Sequence, residues 1–315
     1  MSKSISVVIP VFNEEKNLEL LYNELMEVLR KLGVKYEIIF VDDGSTDSSF
    51  DILEKIFQKD KHAKVIKFRK NFGQTAALNA GFQAAKNDII ISIDADLQNN
   101  PDDIPALLKK IEEGHDVVSG WRYKREDSFF SKKLPSAFSN WLARKLTGLD
   151  IHDSGCTLKA YKREALKNIT LYGEMHRYIP AILNSRGYKI AEVKVEHRQR
   201  KFGKTKYNFT RLLKGLLDLI YIKFWSGYST KPLHFFGLIG FFQYFLAILI
   251  LAEQISMMLL VWKTLVVGPL LLLAVVFFIT GTLFVMFGFL GEILVRTYYA
   301  GSAESPHSIE KVLEK

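Results

Sequence analysis

The chain has 315 residues, 48% of them hydrophobic and 24% charged, with a formal net charge of +9. That length suits roughly two domains, and the composition excludes a disordered or collagen-like chain. A single cysteine, Cys156, excludes an intrachain disulfide framework and any multi-cysteine metal site.

Taken in chain order, the first 120 residues alternate between strand and helix patterns. Ile5–Pro10 is an apolar strand. Glu15–Leu32 repeats leucine and valine at helical spacing, with Asn13 placed to cap it. Glu37–Val41 is a second strand and runs into Asp42-Asp43-Gly44-Ser45-Thr46-Asp47, where Thr46 or Asp47 can cap the next helix. Lys64–Phe68 predicts a strand, Gln74–Ala85 a helix, Ile89–Ile93 a strand, Ile104–Glu113 a helix and Val117–Gly120 a strand. Such alternation implies a mostly parallel sheet covered on both faces. Ligands of these sheets sit at the carboxyl ends of the strands. Polar residues gather at those ends here: Asn13-Glu14, Asp42-Asp43, Arg69 and Asn71, Asp94–Gln98, and Trp121-Arg122.

The charge is unevenly placed. Lys194–Lys231 holds ten basic and two acidic residues. An apolar tail follows, with no charged residue in Phe235–Ala252 or in Thr264–Gly291. About 20 apolar residues span a bilayer as helix, so two transmembrane helices are expected. The basic side faces the cytoplasm, which puts the N-terminal domain and the C-terminal tail there, in a multi-pass protein of the inner or plasma membrane. Leu212, Leu213, Leu216, Leu217, Ile220 and Phe224 recur at helical spacing, which suggests an amphipathic helix lying on anionic lipid. The expected divisions are a catalytic domain at 1–206, an interface segment at 207–232, two spans within 233–296 and a tail at 297–315.

Two nucleotide-binding devices are missing from the sequence. No strand is followed by GxGxxG, and the position five residues before Gly203-Lys204-Thr205 is Arg198 rather than the glycine of a P-loop. The sequence offers a metal motif instead. In Asp94-Ala95-Asp96-Leu97-Gln98, alternate residues of extended chain present oxygens together. Oxygen ligands suit Mg2+ or Mn2+, bound by one or two carboxylates plus substrate phosphates.

These motifs in this order resemble the family 2 glycosyltransferases, which have the GT-A fold. The residues carrying the resemblance are Pro10-Val11-Phe12-Asn13-Glu14-Glu15, Val41–Asp47, Asn71-Phe72-Gly73-Gln74 and Asp94–Gln98, within residues 4–206. With two C-terminal spans, the chain looks like a polyprenyl-phosphate glycosyltransferase. It resembles dolichyl-phosphate mannose synthase, and Asn71-Phe72-Gly73-Gln74 and Asp96-Leu97-Gln98-Asn99-Asn100-Pro101 look nearer to the bacterial branch of bactoprenol glucosyltransferases and aminoarabinose-type transferases. The resemblance implies a Rossmann-like α/β GT-A domain followed by interface helices and two transmembrane helices.

It also implies roles. Pro10, Phe12, Glu14 and Asp42 would line the nucleotide site, with Asp43 and Asn71 supporting its floor. Asp94 would face the nucleotide-sugar, while Asp96 and Gln98 would hold the metal. Arg122, Lys132, Ser136, Arg198, Arg200 and Lys206 would bind the acceptor phosphate and the diphosphate. Asp153 stands where soluble relatives place an acid near the acceptor. A phosphate acceptor is already an anion, so Asp153 can serve by orienting arginines instead. The expected reaction is inverting transfer of a hexose, glucose first, from UDP-sugar to undecaprenyl phosphate, with UDP-aminoarabinose-type or GDP-mannose donors as alternatives and an inactive membrane scaffold as the non-enzyme reading. Nucleic acid is not an expected partner, and paired interface helices are compatible with a homo-oligomer.

Overall fold

The computed structural model describes residues 4–123, 148–199 apart from 168, 170, 172 and 174, then 224, 227–228, 231–262 and 268–301. The chain divides into two compact units, Met1–Ile222 and Lys223–Lys315.

The first unit is built on a seven-stranded sheet in the order β3-β2-β1-β4-β6-β5-β7. Its strands are β1 (Ile5–Val11), β2 (Tyr36–Asp42), β3 (Ala63–Lys67), β4 (Ile89–Ser92), β5 (Val117–Arg122), β6 (Lys159–Lys162) and β7 (Ile190–Val195). The connecting helices are α1 (Leu18–Leu32), α2 (Ser49–Lys59), α3 (Gln74–Ala84), α4 (Ile104–Glu112), α5 (Arg163–Leu166) and α6 (Ile179–Ser185). Strands β1 and β2 are buried on both faces, as continuous Val/Ile runs in a parallel sheet require. On one face Val7, Ile9, Leu21, Leu25, Leu29, Ile91 and Leu107 form a single apolar cluster. On the other, Val8, Ile39, Leu78, Phe82, Tyr161 and Leu183 form a second.

All pairings are parallel except those of β6, which runs antiparallel to both β4 and β5. This inserted strand decides the site. Ser92 of β4 pairs with Lys159 of β6, so the chain leading into β6 lies beside the chain leaving β4. Two local expectations are corrected here. Asn13 does not cap α1; Asn17 holds that position, and Asn13 adopts φ 57° with its Oδ1 accepting from Thr46 N at 2.8 Å. The chain after Asp94 is not extended either. It turns at Ala95-Asp96, and Leu97 takes φ 62°, so period-two alternation does not govern this loop.

Gly44 shows how tightly the strand-end loops meet. It has φ +71°, and a Cβ there would stand 2.4 Å from the Lys70 carbonyl carbon and 2.7 Å from Asn71 N. Gly44→Ala is expected to cost at least about 2 kcal/mol in urea unfolding, from left-handed strain plus this clash. The 70–71 backbone must move to relieve it.

The second unit holds α7 (Pro232–Met257), continued by a π-helical turn at Met258–Trp262, and α8 (Pro269–Gly301). Both helices are long and apolar enough to cross a membrane, with mean hydropathy 2.3 and 2.7. Large side chains such as Phe241, Phe245, Phe278 and Leu294 are exposed on them, as lipid contact requires. Small residues let the two backbones approach. A Cβ on Gly240 would meet Gly281 O and Val285 Cγ2, each at 2.7 Å, and Tyr244 and Thr282 hydroxyls bond across the pair at 2.9 Å. Gly240→Val is expected to destabilise the pair by about 1–3 kcal/mol through overpacking, read as a lower unfolding midpoint on adding SDS to the detergent-solubilised protein. The amphipathic pattern of 207–232 lies almost wholly outside the described residues.

Candidate active site

Four strand ends contribute to one cleft floor. After β1 and β2, the loops are laced together: Asn13 N donates to Ser45 Oγ (3.0 Å), Glu14 N to Ser49 Oγ (2.8 Å) and Glu15 N to Asp47 Oδ2 (3.2 Å). Asp42 closes β2, fully buried. Its Oδ1 accepts from Ser45 N at 3.1 Å, while Oδ2 has no hydrogen-bond partner among the described residues. A buried carboxylate oxygen left unpaired is costly.

Asp43 differs from its neighbour. Its Oδ1 accepts from Phe72 N (2.7 Å), and its Oδ2 from Gly73 N (2.9 Å) and Asn71 Nδ2 (2.9 Å). Burial raises its carboxyl above the usual range, against the lowering effect of those N–H groups. Asp43 and Asn71 are therefore bound to each other and fix the loop that starts α3.

Beyond β4, both Asp94 oxygens are engaged. Gln74 Nε2 donates to Oδ1 at 2.7 Å and Thr157 Oγ1 to Oδ2 at 2.6 Å. Burial pushes the Asp94 carboxyl up to about 6, the Asp96 charge adds to the rise, and the Thr157 hydroxyl, Arg122 and Lys159 oppose it. Asp96 is buried, and its Oδ1 accepts from Gln98 N at 3.2 Å. The two carboxylates Asp94 and Asp96 lie close enough to interact, and Gln98 follows in the same loop. Among the described residues, no three His, Cys, Asp or Glu side chains gather to cage a metal. Carboxylate oxygens are the donors that a hard cation such as Mg2+ or Mn2+ takes, one or two from the protein.

On the far side of the cleft, Arg122 ends β5. Its Nε donates to Asp153 Oδ2 (2.6 Å) and its Nη2 to Asp153 Oδ1 (2.9 Å), a bidentate pair with both side chains largely buried. Burial opposes the Arg122 charge, but Asp153 more than restores it. Both Asp153 oxygens thus serve Arg122, and Gly155 N also donates to Oδ1 at 3.2 Å.

Arg198 lies beside the Asp96–Gln98 loop. Its guanidinium pairs with Glu24 of α1 at 2.7 Å, and its backbone N donates to Gln98 O at 2.9 Å. It therefore ties the chain after β7 to α1 and to the Asp96–Gln98 loop. Pro10, Phe12 and Glu14 line the exit of β1, partly buried, and Glu14 Oε2 accepts from Asn17 Nδ2 at 2.5 Å. Lys132, Ser136, Arg200 and Lys206 lie outside the described residues. The structure adds Gln74, Thr157, Lys159 and Glu192, to which motif spacing assigned nothing. Gln74 stood within a recognised motif, but the other three become visible only once β6 and β7 are in place.

The comparisons with known proteins agree with this arrangement. Residues 6–170 match glycosyl transferase family 2. The dodecaprenyl-phosphate galacturonate synthase of Rhizobium johnstonii is 34% identical over 99% of this chain and 94% of its own length. An undecaprenyl-phosphate 4-deoxy-4-formamido-L-arabinose transferase of Pectobacterium atrosepticum is 37% identical with the same coverage. Among solved structures, glucosyl-3-phosphoglycerate synthase from Mycobacterium tuberculosis with Mn2+, UDP and glucosyl-3-phosphoglycerate superposes with a TM-score of 0.54 at 21% identity, over 71% of this chain and 80% of that one. The same enzyme with Mg2+ and UDP gives 0.54 at 20%, over 71% and 79%. The mostly parallel sheet with its acidic strand ends is thus a GT-A glycosyltransferase fold. The chain belongs to glycosyl transferase family 2, in the branch that holds these polyprenyl-phosphate sugar transferases.

Proposed function

We propose that the protein transfers a sugar from a UDP-sugar to a polyprenyl phosphate at a cytoplasmic membrane surface. The observation that carries this is a guanidinium, Arg122, fixed by Asp153 at the end of one strand of the sheet whose other strand ends bring Asp42, Asp94 and Asp96, on a chain that also holds two apolar spans. One side of the cleft suits a nucleotide diphosphate with a cation, the other an anionic acceptor.

In this reading Asp42 receives a donor group of the nucleotide on its unpaired oxygen. Pro10, Phe12 and Glu14 shape the base and ribose site, and Asp43 with Asn71 holds the loop beneath. Asp94, oriented by Gln74 and Thr157, meets the sugar side of the donor. Asp96 and Gln98 would hold Mg2+ or Mn2+, which when bound neutralises charge on the departing diphosphate. Arg122 grips the acceptor phosphate, whose oxygen attacks the sugar C1 opposite the diphosphate and inverts it. Lys132, Ser136, Arg200 and Lys206 are proposed to add to this anion site. Asp153 positions Arg122 and does not need to accept a proton, because a phosphate monoester is already ionised. The basic stretch Lys194–Lys231 draws anionic headgroups toward the chain.

The donor sugar is where the relatives redirect the sequence expectation. Their names carry galacturonate and 4-deoxy-4-formamido-L-arabinose, not glucose. Those two sugars therefore lead the donor candidates, and glucose follows. The test is transfer of label from a panel of UDP- and GDP-sugars to undecaprenyl phosphate in detergent with Mg2+ or Mn2+. Metal-dependent movement of label into the organic phase from one donor is expected. No transfer from any donor, together with no UDP binding, would leave the inactive scaffold as the better reading.

A further inference from the structure

The loop His152–Thr157 lies between the two halves of the site and touches both. Through Asp153 it holds Arg122, and through Thr157 it holds Asp94. Its own anchors stand on the sheet. Glu192 of β7 accepts at Oε1 from His152 N (2.8 Å) and Asp153 N (3.1 Å), and its Oε2 faces His152 Nδ1 at 2.8 Å. Lys159 of β6 donates from Nζ to the carbonyls of Ser154 (3.3 Å) and Cys156. Sheet register places these anchors in one row, since Ser119 of β5 pairs with Lys159 on one side and with Glu192 on the other.

Lys159 is an unusual anchor. It is 2% exposed, and among the described residues no carboxylate lies within ion-pair distance of it. Burial holds its ammonium below the ordinary lysine range. An unpaired buried cation is costly, and an apolar side chain of similar size would be cheaper for stability alone. What the ammonium provides is two hydrogen bonds to successive turns of one loop. Thr157 is tied as firmly: its Oγ1 also accepts from Asn99 Nδ2 (3.0 Å), and its carbonyl accepts from Ser92 Oγ (2.6 Å).

We infer that Lys159 and Glu192 are positioning residues which, through the 152–157 loop, set the acceptor-side guanidinium of Arg122 and the donor-side carboxylate of Asp94 in register with one another. This rests on the transferase reading above. The loop separates into arms. Glu192 acts through Asp153 on Arg122 only, Thr157 on Asp94 only, and Lys159 on both.

Four variants of the full-length protein in detergent test this: Glu192→Ala, Thr157→Val, Thr157→Ser and Lys159→Met. Each lost hydrogen bond is expected to cost roughly tenfold in the parameter it governs. Glu192→Ala should raise KM for undecaprenyl phosphate and leave UDP affinity, measured by calorimetry, at the wild-type value. Thr157→Val should weaken UDP-sugar use and lower kcat with the acceptor KM unchanged, and Thr157→Ser, which keeps the hydroxyl, should restore both. Lys159→Met should move both arms while Tm stays within a few degrees of wild type. Wild-type kinetics in Glu192→Ala, Thr157→Val and Lys159→Met would overturn the inference. So would losses in both arms at once that track a falling Tm, which is the pattern of a merely structural role. If the wild-type protein itself transfers no sugar, the transferase reading fails. The inference then stands or falls on UDP affinity, which should drop in Thr157→Val and Lys159→Met but not in Glu192→Ala.

Discussion

Asp96→Ala is expected to reduce transfer by about a thousandfold or more, the loss of several kcal/mol of charge stabilisation at the leaving diphosphate. The side chain is buried at a turn whose neighbour, Leu97, sits in the left-handed region. Asp94 is held in place by Gln74 and Thr157, one donor on each of its oxygens, so it is not free to move into the position of Asp96. Asp96→Asn supplies the control for folding. It keeps an oxygen to accept the Gln98 N–H and preserves volume, while removing the charge. The pair is checked by label transfer at saturating donor and by the unfolding midpoint. Loss of transfer in both variants with the Asn variant folded as wild type is the expected result. Near-wild-type turnover in Asp96→Asn would show that the carboxylate charge is not used.

Much of this site was legible in the sequence because its chemistry is local. Val and Ile runs broken by polar clusters give β1, β2 and β4 and put Asp42 and Asp94 at strand ends. Two long uncharged runs give α7 and α8. The parts that were not legible are those set by contacts far apart in the chain. The basic run does not show that Arg198 also meets Glu24, 174 residues away. Nothing in the spacing of Lys159 reveals that β6 enters antiparallel between β4 and β5, which is what buries its ammonium beneath the 152–157 loop. The Asp94–Gln98 loop failed at the level of geometry rather than chemistry. Its oxygens are the right ones for a cation, but a left-handed Leu97, not strand alternation, brings the Gln98 N–H back to Asp96. Asn13 belongs with it: a good helix-cap residue is drawn into a tertiary bond with Thr46 instead.

Asp153 offers the second large effect, because there stability and transfer separate. Asp153→Ala leaves the Arg122 guanidinium, whose side chain is only 18% exposed, without its counter-ion. Breaking a buried pair from one side costs about 3–5 kcal/mol, whereas replacing both partners by apolar groups of similar size is often neutral. Asp153→Ala is therefore expected to lower stability by about 3 kcal/mol and, on the proposed reading, to lose acceptor affinity, since the guanidinium is no longer held in place. The double variant Arg122→Met/Asp153→Leu should recover most of that stability, as partners in contact are not additive. It should not recover transfer, because the cation proposed to meet the lipid phosphate is gone. Urea unfolding and acceptor KM measured on the same three proteins decide the matter. Were Asp153 a proton acceptor for the incoming nucleophile, Asp153→Asn, which keeps an oxygen on Arg122, would fall as far in kcat as the double variant. On the positioning account it keeps most of its kcat and shows its loss in KM. The ionised phosphate acceptor requires the second outcome, and a soluble acceptor hydroxyl would require the first.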